Sequence, residues 1–153
     1  MTELMKIKDI APVTVACIDG KGPYNEMGPL FQELYAWIGE NHLSMAGTPG
    51  IALEYDSPLE VGPANCRYTV CVPIKGAVKG NGRVKVQTLP KIKAACLLHK
   101  GPYSQLPEKW QAAMRWMQEN GHMIANVPRE AYLNDCWGTP ENELLTEIQI
   151  PVG

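Results

Sequence analysis

Short runs of β-branched and apolar residues alternate along this chain with apolar positions at helical spacing, and the whole pattern occurs twice. Pro12 to Asp19 is short and rich in Val, Thr and Ile, so it predicts a strand, as does the matching run Ile92 to His99. Met27, Leu30, Phe31, Leu34 and Ile38 then recur at the three- and four-residue steps of a helix face, and Leu106, Trp110, Ala113, Met114 and Met117 answer them. Both stripes predict core packing. Gly50 to Asp56 and Glu130 to Asp135 predict a second strand in each copy, and Arg67 to Ile74 and Leu145 to Val152 a third, closed by Pro73 and Pro151.

The repetition is one of sequence as well as pattern. A shift of 79 positions gives 14 identities in the 47 positions from residue 10 to residue 56, including Lys21-Gly22-Pro23-Tyr24 on Lys100-Gly101-Pro102-Tyr103 and Trp37 on Trp116. The last strands match at a shift of 78. Two modules follow, at about 10–74 and 89–152, with a linker at about 75–88 that includes an Asn81-Gly82 turn. Such a duplication predicts pseudo-twofold packing, with a cleft between the modules where a ligand sits. In each Gly-Pro-Tyr turn the glycine supplies an unusual backbone angle and the proline fixes the next, which aims Tyr24 and Tyr103. Asn25 and Ser104 are the expected N-caps, and Met1 to Ile10 is expected to fray.

Composition narrows the class of function. With 153 residues and 45% hydrophobic content the chain can bury one core, and it has no run of about 18 apolar residues to cross a membrane. The expected compartment is the cytoplasm. Five cysteines without a C-x-x-C pair argue against a disulfide framework or a zinc knuckle; Cys17 and Cys96 are expected in the core, and neither a metal nor a cofactor is expected. The net charge is −2, and residues 61–107 hold eight Lys or Arg and no acid. Solvated linker lysines are the preferred reading of that segment, with a patch for an anionic partner as the alternative, and direct nucleic-acid binding is not expected.

Function in a duplicated scaffold lies where the copies differ. Ile148, Ile150 and Val152 alternate onto the face expected to meet the helix, which turns Glu147 and Gln149 the other way, and the counterpart of Glu147 is Thr69. A carboxylate on the uncovered face makes an acidic floor. Tyr55, Tyr68, Tyr132 and Trp137 lie on or beside strands, Tyr24 and Tyr103 follow the turns, and Trp37 and Trp116 flank the apolar stripes. One carboxylate and several rings suit a bulky lipophilic cation or a flat aromatic molecule.

The duplicated strand-helix-strand-strand unit, its two Gly-Pro-Tyr turns and the ending Leu144-Leu145-Thr146-Glu147-Ile148-Gln149-Ile150-Pro151-Val152 together resemble the GyrI-like small-molecule-binding family, also called the AraC-type effector-binding domain. The resemblance implies an α+β fold in which two modules form a concave antiparallel sheet with helices outside, and it puts Glu147 in the central cleft of a multidrug-binding domain. Sequestration of hydrophobic compounds is the first function it implies. A second is hydrolysis of cyclopropane-containing genotoxins by Glu147 with Trp137 or Tyr68, and a third is binding to DNA gyrase, for which no residue stands out.

Overall fold

The computed structural model describes residues 4–45, 50–76 and 78–153, and the strand pairings within each of its units are antiparallel. In chain order the elements are strands β1 (Met5–Ile10) and β2 (Val13–Lys21), helix α1 (Gly28–Glu40), strand β3 (Gly50–Glu54), the single turn α2 (Pro58–Val61), strands β4 (Arg67–Pro73), β5 (Lys85–Leu89) and β6 (Ile92–Lys100), helix α3 (Leu106–Glu119), and strands β7 (Arg129–Tyr132) and β8 (Leu145–Pro151). The fold is α+β. No helix among the described residues is long and apolar enough to cross a membrane.

The chain divides into an early unit, Pro12–Pro90, and a late unit, Lys91–Gly153 together with Met1–Ala11. In the early unit β4 pairs with β2 and β3, and β5 pairs with the other side of β2. In the late unit β8 pairs with β6 and β7, and β1 pairs with the other side of β6. Two expectations are corrected here. Residues 85–88, the end of the expected linker, belong to strand β5, and Met5–Ile10, expected to fray, is strand β1. Both segments lack the continuous apolar run of an inner strand, because each borders a unit's sheet on one side only and buries little of its length. Each precedes in sequence the strand of one unit while pairing with the corresponding strand of the other.

Helix α1 lies over β2 and β4, and α3 over β6. The late core joins Ala95 and Leu97 of β6, Leu106, Ala113 and Met117 of α3, and Ile148, Ile150 and Val152, with Trp110 and Trp116 packed against it. The expected stripe thus meets the expected face of β8, except that Met114 is exposed at the edge of the helix. In α1, Leu34, Trp37 and Ile38 are buried. Neither helix uses the caps expected of it: Asn25 and Ser104 lie in 3-10 turns that precede the helices, and the α-helices begin at Gly28 and Leu106 with Pro29 and Pro107 in the first turn. At the far ends the Asn41 and Asn120 side chains donate to the Trp37 and Trp116 carbonyls at 2.8 and 2.9 Å.

The paired turns behave as the repeat implies. Gly22 and Gly101 have φ of 140° and 132°, open to glycine at little cost, and their N–H groups donate to the carbonyls of Cys66 and Leu144, each at 2.8 Å. Two positions back the copies diverge. Gly20 stands opposite Tyr68, whereas His99 stands opposite Thr146. Small-large in one unit becomes large-small in the other, which conserves the volume under the helix. A Cβ on Gly20 would meet the Tyr68 ring at 2.5 Å and Leu30 at 2.7 Å. Gly20→Ala is therefore expected to cost about 1–3 kcal/mol, since the buried Tyr68 ring and Leu30 must both shift to make room; a lower urea midpoint with unchanged m-value is the check.

The shift of 78 begins earlier than the identities suggest. Leu53 pairs with Thr69 and Ala131 pairs with Glu147, so Leu53 corresponds to Ala131 although the shift of 79 aligns Ala52 with it. A one-residue slip exchanges the two faces of a strand. Ala52, aligned with Ala131 by identity, therefore faces the helix side while Ala131 faces away.

Candidate functional site

Alternation along β8 sends Thr146, Ile148 and Ile150 under α3 and turns Leu145, Glu147 and Gln149 to the face away from α3. In register beside Glu147 stand Leu98 of β6 and Ala131 of β7. Leu98 is exposed, and Ala131 is the small counterpart of Leu53. The carboxylate thus has an apolar neighbour open to solvent on one side and a methyl group in place of an isobutyl group on the other.

Glu147 is held from two directions. Lys8 Nζ of β1 donates to Oε2 at 2.8 Å, and Gln149 Nε2 donates to Oε1 at 2.8 Å. The Glu147 side chain is 13% exposed and that of Lys8 48%. The carboxylate raises the Lys8 ammonium above the usual lysine range by its hydrogen bond, against the opposing effect of burial. An acidic floor was expected, with no partner named for it; the structure pairs the carboxylate with Lys8. The partner was missed because the segment that carries Lys8 was expected to fray. Its signal was present in the alternation of Lys6, Lys8 and Ile10 against Met5, Ile7 and Asp9.

The early unit presents a different polar set on the corresponding face. Asp19 of β2 accepts from Lys85 Nζ on Oδ2 at 2.8 Å and from Thr69 Oγ1 on Oδ1 at 2.7 Å, and the Tyr55 hydroxyl lies 2.8 Å from Thr69 Oγ1. Lys85 and Thr69 hold the Asp19 carboxyl below its usual range. Cys17, directly opposite Cys71, takes a hydrogen bond from Gln87 Nε2 at 3.3 Å. Hydrogen bonds from Cys71 and Gln87 bring its thiol down to about 7 against the effect of burial. Neither Asp19 nor Lys85 was singled out from sequence. Asp19 is the counterpart of Leu98, and the comparison of copies had weighed only Glu147 against Thr69.

The rings named from sequence separate into groups. Tyr55 stands with Thr69 on the uncovered face of the early unit, 40% exposed, with the Arg67 guanidinium 5.9 Å from its ring centroid. Tyr68 is buried on the helix side of that unit, edge-on to Tyr24 at 6.1 Å. Tyr24 anchors its turn: its hydroxyl donates to the Asp56 carbonyl at 2.5 Å, and burial raises its pKa. In the late unit Tyr103 and Tyr132 meet edge-to-face at 5.5 Å on the helix side, and burial raises the Tyr103 hydroxyl likewise. There Tyr132 Oη donates to Glu130 at 2.7 Å, and Trp110 Nε1 donates to the same carboxylate at 2.5 Å. Trp37 donates to Asn81 Oδ1 at 2.7 Å, and Trp116 stacks on His122 at 5.2 Å. Trp137 lies exposed in the loop after β7. Six rings therefore pack the helix sides and turns, because aromatic residues opposite a helix bury more area there than on an open face.

The basic segment is partly accounted for by pairing. Arg67 forms a two-pronged pair with Asp56 at 2.9 and 3.0 Å, and Arg83 pairs with Glu33 of α1. These exposed pairs contribute little to stability.

Comparison with known proteins adds an independent line. The family model described as the GyrI-like small molecule binding domain matches residues 5–153. The crystal structure of the EcmrR C-terminal domain is 26% identical, with a TM-score of 0.84 and coverage of 100% of this chain and 99% of that one. EcmrR in its DNA complex is 27% identical with a TM-score of 0.86, covering 99% of this chain, which spans 58% of the length of that protein. SAV2435, solved bound to tetraphenylphosphonium, shares the fold at 15% identity and a TM-score of 0.66, with coverage of 98% and 94%. A hydrolase from Listeria innocua shares it at 14% and 0.69, with coverage of 99% and 93%. A search of the curated proteins finds no match.

Proposed function

The chain belongs to the GyrI-like small molecule binding domain family, and on that premise we propose that it sequesters bulky hydrophobic compounds, cationic or planar, with Glu147 as the anchor for the cation. The carrying observation is the setting of Glu147: a carboxylate 13% exposed, beside exposed Leu98 and small Ala131, whose counter-charge is the tethered ammonium of Lys8. Lys8 stands where a ligand cation would. Its stem is half exposed, so it can swing into water at a cost near that of a surface pair, about 0.2–1 kcal/mol. A lipophilic cation brings apolar area as well as charge, and each Å² it buries adds about 25 cal/mol. That surplus is what lets it take the place of the lysine. The ligand of SAV2435, a cation enclosed in four aromatic rings, has this chemistry.

The test is equilibrium dialysis with tetraphenylphosphonium and with triphenylphosphine oxide, an uncharged relative of similar bulk. Saturable binding of the cation, tighter than that of the oxide, is expected; equal affinity for both would remove the role of charge. Lys8→Met takes away the internal competitor and is expected to tighten the cation about 1.4- to fivefold, the range in which partly exposed ion pairs contribute, with the oxide changed by less.

A further inference from the structure

The direction of the hydrogen bonds in the early unit's polar chain is fixed by valence. Asp19 is held ionised by Lys85 and Thr69 and therefore accepts only, so Thr69 spends its one proton on Asp19 Oδ1. Thr69 is fully buried and has only a lone pair left for its other neighbour, so the Tyr55 hydroxyl must donate to it. Tyr55 then has no proton to offer outward. Its phenolic oxygen, half-buried on a residue 40% exposed, keeps only acceptor lone pairs, polarised by the chain that ends on a carboxylate. Charge around it is balanced, Asp19 by Lys85 and Asp56 by Arg67, and Arg67 already takes the cation position over the ring.

From this we propose that Tyr55 is the recognising group of a second small-molecule subsite, on the helix-free face of the early unit, that takes uncharged aromatic compounds carrying an O–H or N–H donor. It rests on the Tyr55–Thr69–Asp19 chain alone and does not depend on Glu147. The donor of the ligand bonds to Tyr55 Oη, and its ring lies against the exposed part of the tyrosine. Balanced charge makes the subsite indifferent to salt, since no net counter-ion is displaced.

Phenol and anisole provide the test, because they differ by the donor while anisole is the more hydrophobic, so nonspecific binding favours anisole. Dissociation constants from NMR titration of the full chain are expected to favour phenol about three- to tenfold, the range of one net hydrogen bond. Tyr55→Phe should abolish the preference and Thr69→Ser should keep it. Thr69→Val frees the Tyr55 proton, turning the acceptor into a donor, and should bring the ratio to one or below. Glu147→Gln should leave it unaltered. Equal binding of the two probes by the parent, an unchanged ratio in Thr69→Val, or loss of the preference in Glu147→Gln would each overturn the proposal.

Discussion

Glu147→Gln is expected to weaken tetraphenylphosphonium binding by about ten- to a hundredfold, or about 1.4–2.8 kcal/mol, while triphenylphosphine oxide binds as before. A unit charge about 4 Å from the carboxylate would gain about 4 kcal/mol at an effective dielectric near 20. Part of that is spent on releasing Lys8, which already holds Oε2 at 2.8 Å. Glutamine keeps the shape of the side chain and can still bond Gln149, so the variant isolates charge from packing. A loss confined to the cation is the signature. Isothermal titration at two salt concentrations checks it, since the remaining affinity should no longer weaken with added salt.

Ala131→Leu should abolish measurable binding of both compounds without unfolding the protein. The early unit shows that an isobutyl group is tolerated at this register position, for Leu53 occupies it opposite Thr69 and is buried there. In the late unit the same group would stand directly beside Glu147, where the buried methyl of Ala131 now is, and would crowd the carboxylate. Crowding it removes apolar contact area and access to the carboxylate together, so charged and uncharged compounds should be excluded alike. That pattern differs from the selective loss expected of Glu147→Gln. A thermal melt within a few degrees of the parent, with no heat on titration, is the expected result; retained binding would mean that the ligand does not use this face.

How much of this was legible in the sequence follows from how each segment is buried. Strands β4, β6 and β8 are buried over most of their length and β2 through its centre, so their β-branched and apolar runs announced them. Helices α1 and α3 were marked by their stripes, although one-turn 3-10 segments displaced the expected caps. Strands β1 and β5 carry Lys-Ile-Lys and Lys-Val-Gln-Thr, polar at the positions that stay exposed, and their partners are distant in sequence. Periodicity in so short a run could not separate them from linker.

The same limit applied to the site. Alternation correctly placed Glu147 away from α3, but its ion pair with Lys8 joins residues 139 apart in the chain. Likewise the Asp19–Thr69–Tyr55 chain depends on cross-strand register, which the comparison of the two copies did not yield. Aromatic residues were the least legible. Spacing shows that a ring sits beside a strand without telling which face it occupies once a slip of one residue intervenes, as it does between Ala52 and Ala131.

The most direct test of the Glu147 anchor is a crystal structure of the protein with tetraphenylphosphonium. The phosphorus should lie within about 4–6 Å of the Glu147 carboxylate, the range of an effective opposite charge, with Lys8 Nζ moved off Oε2 and a phenyl ring against Leu98. A phosphonium bound on another face, with the Lys8–Glu147 pair intact at 2.8 Å, would contradict it.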